Sequence, residues 1–388
     1  MTSSISLPVE TWQAILRHAI FVPDFLDADS FEGDLQVHGF GDHRVHRDNE
    51  GVYWEAEKIR DKLQLVCTGW NKYLRDFAHR YVRMSDVWHG RIDTISLKGA
   101  IRISLRDWQC ECAEVCLPPP SEGLLGLYRR FGAFSAERIY EFTFLSAEIL
   151  DMGGVYDRVI WNSGALRSLS RLKTVISWGF SGDGIDYPLF CQSPNLAHVR
   201  AKIYDDILYR VFVSKTLSTL SIELGMNASS RSTIWDLPSL KHLRITHSGR
   251  STASGFLADQ LLPLLRRVGS QLHSLYITTR HQYDVPVDIW ELCPLLEKFH
   301  PGMRLLAPPY SSHPIHTISV STEHFMDSFM LSLQWPNLQR IIFDGRWMEV
   351  LDSIEAILLQ QRSSSRRAWK LEDRDGVLLE DFVNQIDI

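Results

Sequence analysis

An α/β chain in two unequal parts is what the sequence predicts. A helical N-terminal part covers residues 1–85. An irregular solenoid follows over 86–388, its curved sheet carrying helices on the outer side. Three observations predict this. Apolar residues recur at helical spacing in two stretches near the N-terminus. From about residue 170 a loose Leu-x-x-Leu-x-Leu/Ile pattern returns at intervals typical of solenoid repeats. The composition, 45% hydrophobic and 23% charged in 388 residues, suits a chain with a sizeable core.

The formal net charge of -6 gives no electrostatic footprint for nucleic acid, and basic clusters such as Arg366-Arg367 are isolated. No run of about 18 apolar residues marks a membrane span. The N-terminus lacks the basic start and apolar core of a secretory signal. The expected location is therefore cytoplasmic, nuclear or both, with no membrane partner. Of six cysteines, Cys110, Cys112 and Cys116 cluster, while Cys67, Cys191 and Cys293 are scattered. That is no disulfide framework in a chain this long.

The first element is read from "LPVETWQAILRHA". Pro8 suits the first helical position, where its missing N–H is not needed. Leu7 would then be the N-cap. Glu10 would fall at N3, where its carboxylate meets the positive helix end. Trp12, Ile15, Leu16 and Ala19 form one helical stripe, and Pro23 should end it. The second helical stretch runs from Glu55 to Tyr81. Ile59, Leu63, Val66, Trp70 and Leu74 lie at spacings of three and four, with a break expected at Gly69. Periodicity alone equally suits two core helices of an ordinary helical subdomain.

Leu7, Pro8, Glu10, Ile15 and Leu16, followed by Leu65, Val66, Cys67 and Trp70, resemble the F-box pattern of Leu-Pro-x-Glu, an apolar helix and Val-Cys-x-x-Trp. The resemblance implies docking on a Skp-type adaptor, which bridges to the cullin of a ubiquitin ligase. Leu7, Pro8, Trp12, Ile15, Leu16, Leu65, Val66 and Trp70 are the candidate docking residues. Trp is favoured at the buried centre of interfaces. Some of the eight must instead pack the helices on each other. The sequence departs from the pattern because Leu7 and Cys67 lie 60 residues apart, so residues 21–54 read as an inserted loop. Similar insertions occur in F-box-like proteins of mushroom-forming fungi. Within the insertion, "HGFGDHRVHRDNEG" holds His38, His43 and His46 without ligand spacing and reads as a polar loop. Its "HRD" lacks the other parts of a kinase site.

The repeat anchors are Leu172, Leu196, Leu217, Leu240, Leu272, Leu295, Ile315 and Leu338. Their separations run from 20 to 24, with one of 32. A weaker copy starts at Ala136. This resembles a degenerate leucine-rich repeat, in which each unit gives one strand and one return leg. Stacked units bury what one cannot bury alone. Residues such as Leu240, Leu243 and Ile245 should point to the core. Longer helices are expected over 255–268, 324–335 and 347–359. The pattern leaves Val87 to Phe134 uncovered, including the loop around Pro118, Pro119 and Pro120. An irregular α/β domain without a true repeat is the alternative.

No catalytic signature emerges. Cys110, Cys112 and Cys116 lack a C-x-x-C pair and an adjacent fourth ligand, so no metal is expected. "GFSGDG" at 179–184 fails both the nucleophile elbow and the dinucleotide fingerprint. "DRDG" at 373–376 lacks the later acids of a calcium loop. "QQRSSSRRAW" at 360–369 reads as a solvated loop, with Ser363 to Ser365 as possible phosphorylation sites. Asn227 heads a glycosylation triplet that an intracellular chain would not use. The expectation is a non-enzymatic adaptor without cofactor. Its helical part would bind the Skp-type adaptor and, through it, a cullin. Its repeats would bind an unidentified protein substrate. A ligase-independent repeat scaffold is the first alternative, and an enzyme with an unrecognised site the second.

Overall fold

The computed structural model describes residues 8–27, 43–105, 146–151, 169–180, 193–203, 211–224, 234–247, 261–279, 284–285, 289–301, 304–305, 308–320, 335–343, 345–348, 370–373 and 376–386. Its frame is a 12-stranded, fully parallel sheet whose spatial order follows the chain. The strands are β1 Tyr81–Arg83, β2 Arg102–Ser104, β3 Ile149–Asp151, β4 Thr174–Phe180, β5 His198–Ile203 and β6 Thr219–Leu224. They continue as β7 His242–His247, β8 Ser274–Thr279, β9 Lys298–His300, β10 Thr317–Val320, β11 Arg340–Phe343 and β12 Lys370–Glu372. Parallel neighbours need a return crossing between them, so this order gives a solenoid-like winding. Val211–Val213 pairs with Ile234–Asp236, and Asp284–Val285 with Arg304–Leu305, both in parallel. Each pair joins the return legs of consecutive units.

The repeat has a strict local grammar. Leu172, Leu196, Leu217, Leu240, Leu272, Ile315 and Leu338 are buried, and β4 to β8, β10 and β11 each start two residues after one of them. Full burial of such a side chain is worth about 1.5–3 kcal/mol. One residue before each strand from β1 to β10, a single carbonyl accepts two N–H groups from the next unit. Lys173 O takes those of Ala197 and His198 at 2.8 and 2.9 Å, and Lys241 O those of His273 and Ser274 at 2.8 and 3.1 Å. A polar residue just before the anchor reaches back to the preceding unit. Asn195 donates to Ser170 O at 2.7 Å, Ser239 to Lys215 O at 2.6 Å, and Asn337 to His313 O at 2.8 Å.

Two parts of the expected pattern need correction. Leu295 is 48% exposed, and Leu296 is the buried anchor before β9. Alignment of Cys293-Pro294 with Ser193-Pro194 puts Leu296, not Leu295, opposite Leu196. The sheet also starts earlier than the leucine pattern, at Tyr81, and β2 lies within the stretch that pattern left uncovered. The buried anchors there are Ala100 and Ala147, each two residues before its strand. The same double acceptance recurs, with Arg80 O taking Ile101 and Arg102 N–H and Ile101 O taking Glu148 and Ile149 N–H.

The described fold also holds the α-helices α1 Val9–Ala19, α2 Pro23–Leu26, α3 His43–Gln64, α4 Thr68–Arg75, α5 Met84–Trp88, α6 Leu262–Val268, α7 Ile289–Leu292 and α8 Leu379–Ile386, with 3-10 turns at Thr94–Lys98 and Gly269–Gln271. The second residue of every strand faces the main core, as Val82, Ile103, Leu150, Val199, Leu243, Phe299 and Ile341 show. Met84, Val87, Leu264, Leu265, Ile289 and Trp290, from α5 to α7, join that core. The first and third strand residues form the opposite face. Against the expectation of helices on one side, α2 and α3 pack on this opposite face at β1 to β3.

The insertion is corrected as well. Residues 21–54 are no simple loop, because they hold α2 and the first half of α3, and Val22, Phe25, Leu26 and Tyr53 are buried. Pro23 opens α2 rather than ending α1, which stops at Ala19. The break between α3 and α4 falls at Leu65 to Cys67 rather than at Gly69. The described part of the helix expected over 255–268 begins at Leu262. Trp347 and Met348 are helical. The stretches 324–334 and 349–359, the weak copy at Ala136 and the Cys110 cluster lie outside the described residues.

Candidate functional site

Helix α1 is capped by Pro8, not by Leu7, which lies outside the described residues. Pro8 has the extended torsions φ -52 and ψ 147. Its carbonyl accepts the N–H groups of Thr11 at 3.0 Å and Trp12 at 3.3 Å. Glu10 is thus the second helical residue rather than N3 and makes no side-chain cap, while Arg17 and His18 suit the negative end. After α3, Leu65 and Val66 turn the chain through bonds to Lys62 O and Leu63 O, both 3.2 Å. Cys67 then caps α4 with extended backbone, its Sγ accepting the Trp70 N–H at 3.5 Å.

The two distant halves pack together. Leu16, Ile20 and Leu74 are fully buried, with Trp12, Leu63, Trp70, Tyr73 and Phe77 half-buried around them. The Trp12 ring lies 6.5 Å from Trp70 at 28° and meets Tyr73 edge-on at 5.5 Å. Arg17 donates to the Tyr73 hydroxyl, which in turn donates to Gln13 O at 3.4 Å. Trp12, Leu16 and Trp70 therefore serve the internal contact. Leu65 at 85%, Val66 at 59%, Ile15 at 55% and Val9 at 52% exposure point out of it. Pro8 is exposed too. Such side chains can bury apolar area only against another molecule or another part of the chain.

Sequence reasoning missed a second constellation, where α2 and α3 meet the sheet. Tyr53, Phe25 and Tyr81 pack ring to ring, with centroids 4.9 to 5.4 Å apart. Tyr53 Oη accepts the Tyr81 N–H at 3.3 Å, which satisfies a donor on the edge strand. Arg102 is almost fully buried, its guanidinium 4.1 Å above the Phe25 ring. It donates to Phe25 O at 3.0 Å and to the Asp151 carboxylate at 2.9 Å. Arg80 pairs with Glu57 at 2.9 Å, and Arg83 Nε donates to Glu50 at 2.8 Å. Burial, reinforced by Glu50, pushes the Tyr81 phenol up to about 12. On the sheet side, Tyr81, Arg83, Arg102 and Asp151 come from the first and third positions of β1 to β3, a signal visible only once strand register is known.

Elsewhere, burial pushes the Cys293 thiol up to about 12 and holds it un-ionised. Burial, with Arg244 nearby, lowers His300 to about 3. Among the described residues no group of three His, Cys, Asp or Glu could hold a metal ion. No described helix is long and apolar enough to cross a membrane. No protein-family model matches the chain, and no curated protein matches it.

Proposed function

We propose that this chain is the substrate-recognition adaptor of a Skp–cullin–F-box ubiquitin ligase. The observation that carries the reading is the joining of two motif halves 60 residues apart into one unit with an exposed apolar turn at Leu65 and Val66. The unit presents these residues to a Skp-type adaptor, and through it to a cullin. The repeat sheet presents a target protein to the conjugating enzyme. The chain does no chemistry in this reading. It raises the effective concentration of a target lysine beside activated ubiquitin.

Burying Leu65 and Val66 against the adaptor is worth about 1.5–3 kcal/mol each. Replacing both with Lys should therefore weaken capture of a purified Skp-type adaptor by more than about a hundredfold. The fold should stay intact, since neither side chain is internal. Undiminished capture would refute the reading. A ligase-independent repeat module is the second reading. It is favoured by the separation of the Leu16–Leu74 cluster from the main sheet core, and a wild-type chain that fails to capture the adaptor would select it.

A further inference from the structure

The strap 308–314 leads into β10, and His313 pins it to the preceding unit. Tyr310, Ser311, Ser312 and Pro314 are exposed, whereas His313 is 1% exposed. Both ring nitrogens of His313 are engaged by backbone. Nε2 donates to the Cys293 carbonyl at 3.1 Å, and Nδ1 accepts the Ile315 N–H at 3.3 Å. Only the neutral ring with its proton on Nε2 can do both. Trp290 of α7 meets the ring edge-on at 5.3 Å, and Tyr310 does so at 5.2 Å. The Tyr310 hydroxyl donates to Trp290 O at 3.4 Å. From the next unit, Asn337 donates to His313 O at 2.8 Å and to Ser311 O at 3.4 Å. One residue thus ties together the units of β9, β10 and β11.

The titratable groups beside the ring are the Cys293 thiol and the Tyr310 phenol. Among the described residues no carboxylate, Lys or Arg acts on it. Burial holds the ring below its ordinary value of 6.5, opposed only by the bond to the Cys293 backbone. A proton added at Nδ1 would set a second donor against the Ile315 N–H, with no counter-charge to hold it there. We propose that His313 is an acid-operated latch, whose protonation frees the strap 308–314 and uncovers Trp290 at the joint of β9 and β10. Opening is local, because the pairing of β8 with β9 does not involve the ring. The repeat thereby gains an apolar surface in acid that it hides at neutral pH. The latch belongs to the repeat alone and holds whether or not the chain joins a ligase.

Pulsed hydrogen exchange on the full chain tests the latch, with rates corrected for the intrinsic effect of pH. Below 6.5, opening of residues 311–316 should rise about tenfold for each pH unit, the slope of one proton. By about pH 5 the gain should reach about thirtyfold, while the amides of β8 keep their protection. His313→Gln can still donate to the Cys293 carbonyl but takes up no proton, so its strap should stay protected throughout. His300→Gln removes the other buried ring of this joint and should leave the acid response of the strap in place. The slope in the unaltered chain decides the matter even where His313→Gln fails to fold. A strap that keeps its protection at about pH 5 would overturn the proposal. So would a slope steeper than one proton, an equal response in a folded His313→Gln chain, or an equal loss across β8.

Discussion

The buried pair of Arg102 and Asp151 decides whether α2 and α3 are fixed to the sheet. Their side chains are 1% and 2% exposed, and the guanidinium also holds the Phe25 carbonyl. Arg102→Met would leave the Asp151 carboxylate buried without the Arg102 guanidinium, a loss of about 3–5 kcal/mol. Arg102→Met combined with Asp151→Leu removes both charges and should lie within about 1–2 kcal/mol of the wild type. The coupling read from the double-mutant cycle should therefore exceed about 2 kcal/mol. Urea unfolding gives the cycle. Hydrogen exchange over residues 22–27 reports whether α2 detaches, and it should speed up in the single variant. If the two single changes add, or if Arg102→Met costs less than about 0.5 kcal/mol, the pair does not hold the interface and the reasoning fails.

Three further outcomes can be checked. Trp70→Ala removes the half-buried ring that packs on Trp12 and should destabilise the helical unit by about 1–3 kcal/mol; tryptophan fluorescence during urea unfolding would expose a neutral change. Gly269→Ala would place a Cβ 2.5 Å from the Leu292 carbonyl and 3.1 Å from Cys293 Sγ, so a loss of about 1–3 kcal/mol is expected in thermal unfolding. His300 stays neutral in the fold down to about pH 3, while its ordinary value is 6.5. The unfolded chain therefore binds the extra proton between these limits. Stability from this group is complete above pH 6.5 and declines as the pH falls toward 3. His300→Gln should flatten that part of the melting profile, and an unchanged slope would count against His300 as its source.

The repeat was legible because its physics is local. A buried Leu, a two-residue step and a strand leave a period that survives in sequence even where Leu295 and Leu296 confuse the frame. The first units escaped because Ala100 and Ala147 fill the anchor position with a side chain too small to stand out from the surrounding sequence. The helical stripe of Trp12, Ile15, Leu16 and Ala19 was legible only in part: Trp12 and Leu16 face the contact, Ile15 and Ala19 are exposed, and Ile20 takes a buried place that the stripe left out. The role of residues 21–54 was not legible. Phe25 finds its partner at Arg102, and Tyr53 at Tyr81, contacts that only the sheet register creates. Around them, Gly, His and Asp dominate the sequence and give the segment the composition of a loop.

Helix α3 gives the inserted segment a consequence for the proposed mechanism. Its 22 residues span about 33 Å. Leu63 near one end packs with Leu16, Ile20 and Leu74, while Tyr53 and Ala56 pack with Phe25 and Tyr81 on the sheet. A continuous helix held in both clusters cannot act as a flexible linker. A flexible linker would set the effective concentration of the target by its length, whereas a held helix sets it by a fixed separation and angle. The segment that interrupts the motif in sequence is thus the part that fixes the proposed adaptor-binding unit relative to the proposed target-binding sheet. Loosening the Arg102–Asp151 contact leaves Leu65 and Val66 untouched. In this reading Arg102→Met should keep both binding steps and lose efficiency only in ubiquitin transfer. A flexible connection would predict no such separation.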